Sequence, residues 1–121
     1  YTQIKVDKDT ININALANNS SYIKANVNAD IWSINLVINN KDTTFSNTTY
    51  PIFSSKRNAL MYVYHDTLTA YWCKAIKTNE NPATYRICVN GNDTGQKRKA
   101  TLTLDGLLLR SANVTIIQQA N

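Results

Sequence analysis

Few residues in this chain have side chains suited to acid–base or nucleophilic chemistry. His65 is the single histidine, and Asp66 follows it directly. Neighbours on a strand point to opposite faces, so the two cannot work on one proton from one side. His65 reads as a surface histidine. Serines and threonines abound, but no G-x-S-x-G elbow is present to activate one. The carboxylates are Asp7, Asp9, Asp30, Asp42, Asp66, Glu80, Asp93 and Asp105. Glycoside hydrolysis needs two of them flanking a cleft, and most lie in turn-like segments, where Asp serves the backbone. The chain therefore reads as non-enzymatic, with no cofactor. Two cysteines and one distant histidine fall short of the four ligands of a structural metal, so no metal site is expected.

Cys73 and Cys88 flank a turn at 79–83. In a hairpin centred between Glu80 and Asn81, direct partners have numbers summing to 161, which sets Cys73 opposite Cys88. Trp72 then faces Val89, and Ile76 faces Tyr85. An exporting compartment permits a disulfide here. A one-residue bulge would part the sulfurs and leave free thiols. Both outcomes stay open.

The elements that must position these groups follow one rhythm. Apolar residues recur with period two: Ile11/Ile13, Ile23/Ala25/Val27, Trp32/Ile34/Leu36/Ile38, Leu68/Ala70, Tyr85/Ile87/Val89, Ala100/Leu102/Leu104 and Val114/Ile116. No helical stripe competes with it. Turn formers separate the runs, as at Asn39–Asp42 and Asn90–Gly95. About eight or nine short strands at this spacing predict a β-sandwich or barrel. The chain has 121 residues, enough for one domain, 1–121, with its own core. Trp32 and Trp72 are expected in that core. One segment breaks the rhythm: from Asn40 to Lys56 the chain reads as a long connection, with Pro51 arguing against a central strand.

Composition narrows the setting. Hydrophobic residues make up 43% and charged residues 17%, a folded rather than disordered balance. The chain has 17 Asn and 14 Thr, a surface style of exported β proteins. Its first residue is Tyr1 and not Met, so the chain reads as processed or trimmed. No apolar run approaches the ~20 residues of a membrane span. The net charge of +5 reads as a solvated surface, and with no helix to enter a groove no nucleic-acid partner is expected.

The C-terminal third carries a family resemblance. "NDTGQKRKATLTL", from Asn92 to Leu104, resembles the signature hairpin of BACON domains, immunoglobulin-like modules associated with Bacteroidetes. The turn is Asn92 to Gly95, the Arg is Arg98, and the closing strand is Val114 to Gln118. "NADIW" supplies Asn28 and Trp32, and "YWCKA" supplies Trp72. The stretch 40–69 departs from the family pattern as an atypical insertion. The resemblance implies an all-β, immunoglobulin-like β-sandwich of about seven to nine antiparallel strands with one long inserted loop. It further implies a monomeric, secreted module, lipoprotein-linked through an anchor upstream, in the periplasm or on the outer-membrane surface. Its expected role is non-catalytic carbohydrate or glycoprotein binding, or adhesion, with a polysaccharide or host mucin glycan as partner. The alternative is a structural spacer holding a partner domain, such as a glycoside hydrolase, away from the membrane.

Sugars stack their C–H faces on aromatic rings, with polar groups beside them reading hydroxyls. Phe45, Tyr50 and Phe53, near Asn47, Thr48 and Thr49, are the first candidates for such contacts. Tyr71, opposite Trp72 in the pleat, is another. Gly95 is expected to give the hairpin a positive φ, and Arg98 to lay its stem along a sheet edge with its head in water.

Overall fold

A computed structural model describes the backbone of residues 1–16 and 19–121, and their side chains except at 19, 50–54 and 60. In chain order the strands are β1 (Thr2–Gln3), β2 (Thr10–Ile13), β3 (Asn19–Lys24), β4 (Ile31–Ile38), β5 (Lys41–Ser46), β6 (Thr48–Ser54) and β7 (Ala59–Tyr64). There follow β8 (Thr67–Ala70), β9 (Cys73–Lys77), β10 (Thr84–Val89), β11 (Arg98–Asp105), β12 (Leu109–Arg110) and β13 (Ala112–Gln118). Among the described residues, no helix is long and apolar enough to cross a membrane.

Nine of these strands build two sheets, ordered β3-β10-β9-β8 and β2-β13-β11-β4-β5. The fold is an immunoglobulin-like β-sandwich. Its pairings are antiparallel except two: β13 runs parallel to β2, and β12 to β1. The period-two pattern is resolved as one inward face per strand. Trp32, Ile34 and Leu36 of β4 meet Leu104, Leu102 and Ala100 of β11 in register, all buried. Tyr85, Ile87 and Val89 line the facing sheet. Trp32 packs edge-on to Tyr85, with ring centroids 5.6 Å apart. The Tyr85 hydroxyl donates to the Ala29 carbonyl at 2.6 Å and accepts from the Ala29 amide at 3.0 Å.

Burial pushes the Tyr85 phenol up to about 12, and the Cys73 thiol likewise to about 12, with the nearby Cys88 adding to the latter. The unfolded chain releases these protons near their ordinary values of 10 and 9. Between those values and 12 the unfolded state has fewer bound protons, so stability falls as pH rises. Urea midpoints are expected to fall from about pH 9 upward. The slope should flatten in Cys73→Ala and Tyr85→Phe; an unchanged slope in both would remove this cause.

The structure revises three sequence expectations. First, the 40–69 stretch is not one long loop. It continues as β5, then a β6–β7 hairpin standing apart as its own two-stranded sheet. Asn39 and Asn40 both adopt positive φ (51° and 65°), which lets a two-residue turn join β4 to β5 directly. Pro51 sits at a register shift in β6, where the missing N–H costs no ladder bond.

Second, the Asn90–Lys97 segment is not a hairpin turn. It joins β10 of one sheet to β11 of the other, arching over the end of the sandwich. Gly95 does take a positive φ, 79°. Asn92 is buried and organises the arch: its amide donates to the carbonyls of Gln96 (2.8 Å) and Gln119 (3.0 Å), while its Oδ1 accepts from Thr94 Oγ1 at 2.6 Å. The Arg98 head is not free in water. Its Nε donates to Gln118 Oε1 at 2.8 Å, and Nη2 to the carbonyls of Asn90 and Gly91. Gln118, wholly buried, donates in turn to Asn90 O at 2.7 Å and Asn14 O at 3.3 Å. Asn92, Arg98 and Gln118 thus clamp one end of the sandwich, and Gly95 supplies a bend in the arch.

Third, the β9–β10 register is shifted by one residue. Cys73 pairs with Val89, Cys88 with Lys74, and Tyr85 with Lys77. The turn holds five residues between Thr78 and Thr84, whose backbones bond at 2.8 Å, so partners sum to 162 rather than 161. Since the pleat alternates, Cys73 points inward with Val89 while Cys88 points outward with Lys74. The two cysteines are free.

Candidate functional site

The two sheets meet along one side through their edge strands, β5 and β8. Phe45 of β5 lies opposite buried Ile34, so its ring faces inward and half-covers the seam. Across the seam, β8 turns into β9 through only two residues, Tyr71 and Trp72. Tyr71 takes φ 55°, a left-handed conformation that a bulky side chain enters at a cost of about 1–2 kcal/mol. The turn needs positive φ there and the sequence supplies no Gly or Asn. The result is a tyrosine 63% exposed at the hairpin tip, edge-on to Phe45 with centroids 6.1 Å apart.

Trp72 is the second turn residue and packs against the edge of the core instead of lying within it. It is half-buried, and the Arg98 guanidinium lies 4.6 Å above its ring. Partial burial pulls the Arg98 proton affinity below its ordinary value, while Asp93 and Cys73 act in the opposite sense. Beside the tip opens a cleft of about 310 Å³, bordered by Thr69, Tyr71, Trp72, Lys74, Arg86 and Asn90. An aromatic rim over polar and cationic side chains suits a ligand with both C–H faces and polar oxygens.

Of the sequence candidates, Phe45 and Tyr71 are brought together. Tyr50 and Phe53 lie outside the residues whose side chains are described; their backbones are in β6, with Phe53 paired to Leu60. Asn47 is not a ligand-facing polar group. It is 1% exposed, and its side chain bonds the Trp32 amide and the carbonyls of Asp30 and His65. Two exposed tyrosines were not singled out by sequence reasoning. Tyr62 and Tyr64 stand on one face of β7, and Tyr62 borders a shallow recess with Ser46, Thr48 and Thr49. Their i, i+2 spacing was visible, but whether that face met the core depended on where the hairpin docked.

Five of the groups with catalytic potential have local partners. His65 Nε2 lies 3.2 Å from Thr49 Oγ1. Asp7 Oδ1 accepts from the Lys24 amide, Asp105 Oδ1 from the Gly106 amide, and Glu80 Oε2 from Thr84 Oγ1. Asp30 pairs with Lys77 at 3.8 Å. Among the described residues, no three of His, Cys, Asp or Glu gather in a metal-binding group.

No protein-family model matches this sequence, and no curated protein does. Solved structures do align with it. A Bacteroides ovatus GH5 xyloglucanase, solved with a XXXG heptasaccharide, is 16% identical at a TM-score of 0.54. The alignment covers 98% of this chain and 19% of that one. A marsupial T cell receptor is 15% identical at a TM-score of 0.48, over 98% of this chain and 51% of that one. The likeness to the xyloglucanase is one of fold. The chain spans about a fifth of that enzyme's length.

Proposed function

We propose that this domain is a non-catalytic glycan-binding or adhesion module of BACON type, exported to the periplasm or the outer-membrane surface. The observation that carries the reading is the Phe45–Tyr71 pair beside the polar cleft. Tyr71 keeps an aromatic ring in water and accepts an unfavourable backbone to do so, and such strain is typical of sites held for ligand contact. Three of the carboxylates, Asp7, Glu80 and Asp105, accept hydrogen bonds from neighbouring backbone or hydroxyl groups. The partial overlap with a xyloglucanase from a Bacteroides species fits a carbohydrate setting.

Tyr71→Gly tests the reading directly. Glycine relieves the left-handed residue and should raise stability by about 1 kcal/mol. It also removes the ring, and should abolish retention in affinity gels cast with plant or mucin glycans. Wild-type protein migrating unretarded in every glycan gel would overturn the proposal. So would retention unchanged by Tyr71→Gly and Phe45→Ala.

A second reading, a spacer for a partner domain, is favoured by one observation: the matching region is 19% of a much longer enzyme chain. A spacer would keep its benefit to a fused hydrolase after Tyr71→Gly, whereas a binding module would lose it on insoluble substrate.

A further inference from the structure

We propose that the ligand of the Tyr71 cleft is an acidic saccharide, its ring carboxylate or sulfate held by Lys74 and Arg86. The inference rests on the glycan reading above and specifies the class of sugar.

It starts from strand register. On the outer face of the β3-β10-β9-β8 sheet, Thr69, Lys74, Cys88 and Ser20 form one cross-strand row. The next row is Thr67, Ile76, Arg86 and Tyr22. Lys74 and Arg86 therefore stand in adjacent rows on adjacent strands, and both border the cleft under Tyr71. None of the four strands contains Asp or Glu. Among the described residues, neither cation has an ion-pair partner; the one ion pair, Lys77 to Asp30, involves a lysine of the other parity in β9. Of the carboxylates that border this sheet, Asp7 accepts from the Lys24 amide, Glu80 accepts from the Thr84 hydroxyl and Asp30 pairs with Lys77; Asp66 directly precedes β8, and its carbonyl accepts from the Lys77 amide.

The energetics favour an anion over a neutral sugar. Lys74 is half-buried, so part of its hydration is lost with no counter-charge in return. A carboxylate or sulfate would supply that charge, and Arg86 can grip either with two parallel N–H bonds. Tyr71 would stack on the ring's C–H face, with Thr69 and Asn90 beside the hydroxyls. The net charge of +5 adds long-range attraction but no position.

The experiment is affinity electrophoresis of the intact domain in gels of polygalacturonate, fully methyl-esterified pectin, dextran sulfate and neutral dextran. Four proteins are run: wild type, Lys74→Gln/Arg86→Gln, Lys97→Gln/Lys99→Gln with the same net charge, and Tyr71→Gly. The expected result is retention on polygalacturonate or dextran sulfate well above that on their uncharged counterparts. The cleft variant should weaken it at least about tenfold, while the Lys97/Lys99 variant keeps most of it. The two anionic gels separate a carboxylate ligand from a sulfate ligand. Equal weakening by both double variants would overturn the proposal as general charge attraction. Retention on neutral glycans alone, lost in Tyr71→Gly but not in the cleft variant, would overturn it while sustaining the glycan reading. Retention on no gel, neutral glycans included, would sink both.

Discussion

Asn47→Ala is expected to destabilise the domain by about 3–4 kcal/mol, from three lost side-chain bonds and the buried groups left without partners. Asn47 sits where β5 passes into β6. Its Oδ1 accepts from the Trp32 amide at 2.8 Å, and its Nδ2 donates to Asp30 O at 2.8 Å and His65 O at 3.1 Å. Its own backbone bonds Trp32 and His65 as well. One residue thus joins the start of β4, the end of β5 and the segment after β7. Asn47→Asp separates the parts of this role. It keeps the acceptor for Trp32 but sets a carboxylate against two carbonyls, so its deficit should shrink in acid. Urea denaturation at two pH values reads both effects. A loss below about 1 kcal/mol in Asn47→Ala would show that water replaces the amide without cost.

Gln118→Leu is expected to cost about 3 kcal/mol at nearly unchanged side-chain volume. The glutamine is wholly buried and works in both directions, accepting from Arg98 and donating to Asn14 and Asn90. Leucine leaves the Arg98 Nε without its acceptor and the Asn90 carbonyl with fewer donors. Removing Arg98 as well should cost less than the sum of the two single changes, because the charge no longer needs satisfying. Strict additivity in that double-mutant cycle, measured by chemical denaturation, would mean the two side chains act separately.

The fold was legible because its signal is local. Alternation along 32–38, 85–89 and 100–104 reports an inward face regardless of which strand lies next door. What escaped depended on pairing. The Asn90–Lys97 turn looks the same from sequence whether it closes a hairpin or crosses between sheets. A five-residue turn after Thr78, instead of an even one, moved Cys73 and Cys88 to opposite faces. Trp72 read as core because it lies beside an alternating run, yet Ala70 pairs with Cys73 and leaves it in the turn. Phe45 and Tyr71 could be named as candidates, but 26 positions separate them in the chain. Only the docking of edge β5 on edge β8 brings them together. Lys74 and Arg86 were not named as site candidates for the same reason: isolated cations acquire meaning only through register.

The parallel pairing of β2 with β13 has a mechanical consequence. Thr10 lies beside Thr115 and Ile13 beside Gln118, so the two strands run side by side in the same direction. A pull on the chain before β2 and after β13 drags them past each other along their length. Their bonds then resist together, in shear, where an antiparallel hairpin pulled from its open end would unzip one rung at a time. The β1–β12 pair repeats that geometry at Thr2–Gln3. Tension along that axis therefore loads these bonds all at once instead of one after another.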